Sequence, residues 1–253
     1  MSVEGEKVVN DAHFGESSFI LYPNLIIKAI RMSREKTLFL VRHGENLANI
    51  TKEMSCRKVD YSLTEKGRLQ AEQTGIYFED KEIHAIYASP LKRAVETAEI
   101  IASRLGLSVI VMENFRELNV GELEDMGNSP EAWQIHLQVI RDWMNGKPER
   151  RFPGGEDYFD ARQRLRDGVE GVLNHENGSN SIVVGHGGLF SVGLSDLCPE
   201  ADRSVLRSKE FHNCSVSEMV MRQVDDRWVG TLVRWADARH LSGEAAELVS
   251  GLP

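Results

Sequence analysis

Thr37-Leu38-Phe39-Leu40-Val41-Arg42-His43-Gly44-Glu45 is the stretch on which the fold turns. Its first five residues form an apolar run too short for a helix, and charge and glycine follow at once. That pattern reads as a strand buried on both faces and ending in a loop. A second stretch repeats the arrangement: Ser181-Ile182-Val183-Val184-Gly185 runs straight into His186-Gly187-Gly188. Between the two lie a strand over 83–88 and a helix opened by Ser89 and Pro90. That helix carries apolar positions at Leu91, Val95, Ala98, Ile101, Ala102 and Leu105 and is stopped by Gly106. A short strand over 109–111 follows. Ser129-Pro130 opens the next helix, with a stripe of Trp133, Leu137, Ile140 and Met144. A further helix over 157–175 should bury Ala161, Leu165, Val169 and Val172, and strands over 215–221 and 227–233 close the pattern. Strands alternating with helices predict an α/β fold: one three-layer α/β/α domain with a mostly parallel central sheet. Its expected bounds are residues 37–235, with an N-terminal extension over 1–36 and a C-terminal tail over 236–253, loose or weakly helical.

Composition narrows the function. A chain of 253 residues suffices for one substantial core. A net charge of -9 argues against a general nucleic-acid binder, which would show a basic face. Cys56, Cys198 and Cys214 have no paired spacing, so reduced thiols and a cytoplasmic setting are expected. No stretch reaches the roughly 18 apolar residues of a membrane span. The best candidate, 19–30, is broken by Pro23 and Asn24, and the acidic residues before it do not suit a signal peptide. Met32 is a plausible second start.

The chemistry is read from residue types at strand ends. His43 and His186 each follow an apolar strand and precede glycine, at the sheet edge where open α/β folds bind ligands. Glycine there lets backbone N–H groups approach an anion. Arg42 and Arg93 fall beside the same predicted edge, and guanidinium suits phosphate because its planar fork donates paired hydrogen bonds. Glu117 follows the third strand closely enough to reach the rim. Two imidazoles, two guanidiniums and a carboxyl group can bind a phosphoryl group, accept it on nitrogen and pass a proton to the leaving oxygen.

Four ordered segments then carry a family resemblance: Val41-Arg42-His43-Gly44-Glu45 with Asn49; Ser89-Pro90-Leu91-Lys92-Arg93-Ala94 with Thr97; Arg116-Glu117 with Gly121-Glu122-Leu123-Glu124; and Val184-Gly185-His186-Gly187-Gly188. Weaker matches are Leu63-Thr64 with Gly67, Pro153-Gly154-Gly155-Glu156 and Asn213-Cys214-Ser215. Over roughly residues 37–233 the chain resembles the histidine phosphatase superfamily, phosphoglycerate mutase-like. The compact interval from Glu117 to His186 is more like its phosphatase branch. The resemblance implies His43 as nucleophile, with Arg42, Arg93 and His186 completing a phosphate pocket to which Asn49 and Gly187 add contacts. Glu117 would donate a proton to the leaving group and later serve as base for water. Leu123 and Asp125 depart from the family's usual tryptophan and glycine, which leaves Glu122 and Glu124 as alternative donors.

The expected activity is a metal-independent phosphatase acting on a small phosphorylated substrate, with no cofactor, no metal, no nucleic-acid partner and no membrane partner. A mutase acting on phosphoglycerate and a binding protein without catalysis are the alternatives. His43, His186 and Glu117 as a zinc trio is the weaker reading, because two arginines would oppose a cation. Among other residues, His13, His84, His136, His175 and His240 are expected at the surface or on helices, and Arg162, Arg164 and Arg166 on a solvated helix face. Trp133, Trp143, Trp228 and Trp235 are expected to serve core or interface packing. His212 is left open between pocket and surface, and Cys56 reads as an ordinary free thiol.

Overall fold

The computed structural model describes residues 35–175, 178–202 and 211–247. The expected extension over 1–36 therefore lies outside the described residues, apart from Glu35 and Lys36, which begin the first strand. In chain order the described elements are β1 (Glu35–Arg42), α1 (Leu47–Thr51), α2 (Glu65–Phe78), β2 (Ala85–Ala88), α3 (Lys92–Leu105), β3 (Val109–Val111), α4 (Pro130–Met144), α5 (Tyr158–Asn174), β4 (Asn180–Gly185), α6 (Gly187–Leu197), β5 (Val216–Val224) and β6 (Arg227–Asp237). Short 3-10 turns sit at Glu113–Phe115, Gly121–Met126 and Gly243–Ala246.

The six strands form one sheet in the order β3-β2-β4-β1-β5-β6. The first four run parallel, and β5 and β6 add two antiparallel strands at one side. The mostly parallel three-layer α/β fold is the one the alternation predicts. Side chains of β1 alternate between the two faces, as the pleat requires. Leu38 and Leu40 join a core with Val139, Leu165, Val169 and Leu194 from α4, α5 and α6. Phe39 and Val41 point the other way, into a core with Phe78 of α2 and Ala94, Ala98 and Ile101 of α3. Truncating one such fully buried leucine or isoleucine to alanine removes about 2–5 kcal/mol.

The register of the central pair places the chemistry. Val41 lies opposite Val184 and Arg42 opposite Gly185. Parallel pairing then delivers the next residues, His43 and His186, side by side at the C-terminal edge. The His43 N–H still donates to Gly185 O at 3.0 Å, closing the ladder beneath them.

Several local expectations are corrected. Helix α3 begins at Lys92, later than the Ser89-Pro90 signal implies. Its first free N–H, on Lys92, is capped by the Asp60 carboxylate at 2.9 and 3.1 Å, so Ser89 is not needed as a cap. The buried face of α4 runs through Ala132, Val139 and Trp143, one residue round from the expected stripe, and Met144 is 52% exposed. Small Ala132 and polar His136 weaken the apolar signal of the true face. Arg164 and Arg166 do not form a solvated surface. Arg166 is buried and donates to Asp196 O at 2.6 Å and Trp228 O at 3.3 Å, while Arg164 reaches under the neighbouring loop. Nor are residues 238–247 loose: Leu241 and Ala245 are buried beside Leu63 and Ala71. Strand β6 also runs on to Asp237. No helix among the described residues is long and apolar enough to cross a membrane.

Candidate active site

His43 is 3% exposed and its tautomer follows from its partners. Nδ1 lies 2.7 Å from Gly44 O, which can only accept, so the ring proton sits on Nδ1. Nε2 is left with its lone pair, which accepts from Arg93 Nε at 3.0 Å. His186 is fully buried, with its ring centroid 5.1 Å from that of His43. Its Nδ1 faces Arg93 Nη2 at 3.2 Å and its Nε2 faces Ser89 Oγ at 2.7 Å. Burial first, then the Arg93 charge, pushes both imidazoles well below their ordinary value, so both are neutral near pH 7.

Arg93 links these parts. Besides the two imidazoles it donates through Nη1 to Ser55 Oγ at 2.9 Å and through Nη2 to Ser55 O at 2.8 Å. Burial pulls the guanidinium down to about 10, with Glu117 and Asp60 opposing the shift, so it stays charged at neutral pH. Arg42, the last residue of β1, is buried and donates through Nη1 to Phe211 O. The same edge is closed by the segment leading into β5, where Asn213 Nδ2 donates to His43 O and to Asn49 Oδ1, both at 3.0 Å. Asn49 Oδ1 also accepts from Asn46 N at 3.1 Å, so its Nδ2 is the end available to an anion.

Glu117 stands across the cleft, at the N-terminus of α6. Its Oε1 accepts from the backbone N–H groups of Leu118 and Leu189, both at 2.8 Å, and Oε2 from Gly188 at 3.2 Å. The two alternative donors are placed differently. Glu124 is occupied by the backbone of residues 56–59, and Glu122 lies beside Gly154.

These groups surround a cleft of ≈ 140 Å³ that Arg42, His43, Asn49, Arg93 and Glu117 line directly. His186 lies behind Arg93, and Gly188 reaches the cleft wall where the family pattern points to Gly187. Among the described residues no group of three His, Cys, Asp or Glu side chains is arranged to hold a metal ion.

Some contributors escaped the sequence reading. Ser55 and Lys52 line the cleft but sit in a loop with no motif. Trp133 also lines it rather than serving packing alone, and its Nε1 donates to Lys52 O at 2.9 Å. His136 is not a surface residue: it lines the cleft, stacks on Phe152 at 5.3 Å, and is pushed down to about 4 by burial. His136 lies in the register of Ala132, Val139 and Trp143, the face that the apolar stripe missed, whereas Trp133 belongs to that stripe. His240 likewise packs on Tyr77 and Thr74, away from this cleft. Cys56 is buried, donates its S–H to Glu124 Oε2 at 3.2 Å, and is pushed up to about 12 chiefly by burial, so it is a protonated thiol.

Residues 38–237 match the family model described as Histidine phosphatase superfamily (branch 1). Among curated relatives, the chain is 33% identical over 216 residues to a probable phosphoglycerate mutase GpmB of Erwinia tasmaniensis, covering 83% of this chain and 97% of that protein. Among solved structures, it resembles Bacillus stearothermophilus YhfR with a TM-score of 0.66 and 28% identity, over 81% of this chain and 98% of the other. A mycobacterial glucosyl-3-phosphoglycerate phosphatase shares the fold at a TM-score of 0.66 and 23% identity, over 79% of this chain and 98% of that one.

Proposed function

Because the chain belongs to the histidine phosphatase superfamily (branch 1), we propose that it is a metal-independent phosphatase that hydrolyses a small phosphate monoester through a phosphohistidine on His43. The observation that carries this reading is the tautomer of His43. Its Nδ1–H donates to Gly44 O, which leaves the Nε2 lone pair unprotonated and held by Arg93 Nε at 3.0 Å, a hydrogen bond that passes to the phosphoryl group as Nε2 attacks. Nε2 attacks phosphorus, the bond to the leaving oxygen breaks, and Glu117 supplies the proton that oxygen needs. Water then attacks the phosphohistidine, Glu117 takes its proton, and inorganic phosphate leaves.

Arg42 and Arg93 stabilise the charge that spreads over the equatorial oxygens, the role a metal would otherwise fill. Asn49 Nδ2 supplies a further donor. The cleft volume of ≈ 140 Å³ falls below the roughly 300–1,000 Å³ of pockets for drug-sized ligands, which favours a small substrate.

A mutase reading is favoured by one observation, the GpmB-type name of the curated relatives. Against it stands the length of chain between Glu117 and His186, most of which is used in α4, α5 and β4. A mutase needs a closed pocket that keeps water from the phosphohistidine, and from this interval the cleft wall receives Leu118, Val120, Trp133 and His136.

The test is a panel of phosphorylated metabolites assayed in EDTA. It includes 3-phosphoglycerate with and without 2,3-bisphosphoglycerate, and both phosphate release and isomerisation are measured. Phosphate release is expected, together with an added phosphoryl group on the His43 peptide after an acid-free quench. Fast isomerisation with negligible phosphate release would reject hydrolysis. Normal turnover by His43→Ala would reject the mechanism altogether.

A further inference from the structure

The geometry points to Glu124 as a positioning residue that sets the phosphate-binding arginine, Arg93, through the loop of residues 55–59. This rests on the reading of Arg93 as a phosphoryl ligand.

The Glu124 carboxylate is buried, yet among the described residues it meets no cationic side chain at hydrogen-bond distance. It is held instead by consecutive backbone donors. Oε1 accepts from the N–H groups of Cys56 at 2.8 Å, Arg57 at 2.9 Å, Lys58 at 2.9 Å and Val59 at 3.0 Å. Oε2 accepts from Arg57 N and Cys56 Sγ, both at 3.2 Å. Successive N–H groups converging on one anion make a concave nest, and such a turn has no reason to hold its shape once the anion is gone. Burial alone would raise the Glu124 carboxyl; the backbone donors outweigh it and hold the group below its ordinary value.

The turn so formed fixes Ser55. Its hydroxyl donates to Val59 O at 2.5 Å, which leaves the oxygen lone pairs to accept from Arg93 Nη1 at 2.9 Å. Its carbonyl accepts from Arg93 Nη2 at 2.8 Å. The remaining Arg93 contacts go to Nε2 of His43 and Nδ1 of His186, the two imidazoles of the cleft. The guanidinium is therefore tied through Nη1 and Nη2 to Ser55, which the nest fixes, while Nε and Nη2 meet the two imidazoles. Asp125, which stands where the family usually has glycine, adds an exposed tie to the same loop through Lys58 Nζ at 2.6 Å.

Glu124→Gln keeps the side chain's size and removes its charge. Purified full-length protein should remain folded by circular dichroism, while vanadate binding and kcat/KM both fall about 10-fold, inside the roughly 2- to 150-fold range seen for coupled neighbours. In an Arg93→Ala background the same change should alter either quantity less than about 2-fold, because the group it positions is absent. An equal loss in both backgrounds would make Glu124 merely structural, and no loss in the wild-type background would remove the role; either overturns the inference. If Glu124→Gln does not fold, Ser55→Ala takes its place in the same cycle and is judged by the same two criteria. The vanadate arm needs no turnover. Coupling in vanadate binding without phosphate release from any monoester would sustain the positioning role while the proposed activity fell.

Discussion

At the scale of the residue, Glu117 and His43 divide the proposed work by geometry. His43 offers a lone pair on Nε2 because Gly44 O accepts from Nδ1–H and so keeps the ring proton on Nδ1, whereas Glu117 is pinned across the cleft by three backbone N–H groups. A group that acts on the leaving oxygen should matter in proportion to how badly that oxygen needs a proton. Glu117→Gln is therefore expected to lower kcat/KM, which reports phosphorylation of His43 and not the later attack of water, about 10²- to 10⁴-fold on an alkyl phosphate. On p-nitrophenyl phosphate, whose leaving group departs without a proton, the loss should be far smaller. Equal losses on the two substrates would remove Glu117 from the role of acid.

Elements carry these residues into place, and the least obvious carrier is α5. Arg164 extends from it under the segment that holds Glu117, donating through Nη1 to Asn114 O at 2.8 Å and Arg116 O at 2.7 Å. Its Nη2 is paired with Glu156 Oε1 at 2.8 Å, which fixes the fork. The same glutamate's Oε1 accepts from Asn119 N at 2.8 Å, just past Glu117. Gly121 lets the segment press on the 153–155 turn: an added Cβ would stand 2.1 Å from Pro153 O. Arg164→Met leaves those part-buried carbonyls without their donor and Glu156 without its cationic partner, a loss of about 1–2 kcal/mol. It should also loosen Glu117. The expected result is a fall in kcat/KM on alkyl phosphates that is larger than the fall on p-nitrophenyl phosphate. A uniform decrease across both substrates would mean that Arg164 supports the fold without aiming the carboxyl group.

At the scale of the molecule, four of the histidines among the described residues are held neutral by burial. His43 and His186 lie well below 6.5, with burial the leading cause and Arg93 next, and His136 and His240 are pushed to about 4 chiefly by burial. In the unfolded chain each would titrate near 6.5. Between that value and the lower native values, the unfolded state binds protons that the native state does not. Stability is thus fully present above about pH 6.5 and declines as pH falls toward 4, by about 1.4 kcal/mol per pH unit for each proton taken up on unfolding. Thermal melts in matched buffers from pH 7.5 to 4.5 should show Tm dropping steadily below 6.5. A level Tm across that window would mean that these imidazoles are protonated in the native protein or already protected in the unfolded one.

Much of this arrangement was legible in the order of residues. Two apolar runs ending in His-Gly, the Ser89 to Arg93 segment and Arg116-Glu117 are local patterns. Short buried strands followed by glycine and charge have one economical packing, a parallel sheet with its chemistry at the C-terminal edge. Asp157 and Ser129 mark helix starts for the same local reason: each side chain meets its own helix's N–H three residues on. What only the tertiary structure decided depends on partners distant in the chain. Arg42 and Gly185 had to pair before His43 and His186 became neighbours. Asp60 had to arrive at Lys92 before Ser89 could turn from cap to partner of His186. The face of α4 that brings His136 and Trp133 to the cleft, the inward reach of Arg164 and the burial of Arg166 answer to what packs against those helices. Glu124 shows the limit most clearly, because its ligands are backbone N–H groups, which every residue but proline carries. No side-chain pattern can announce them until the loop of residues 56–59 closes around the carboxylate.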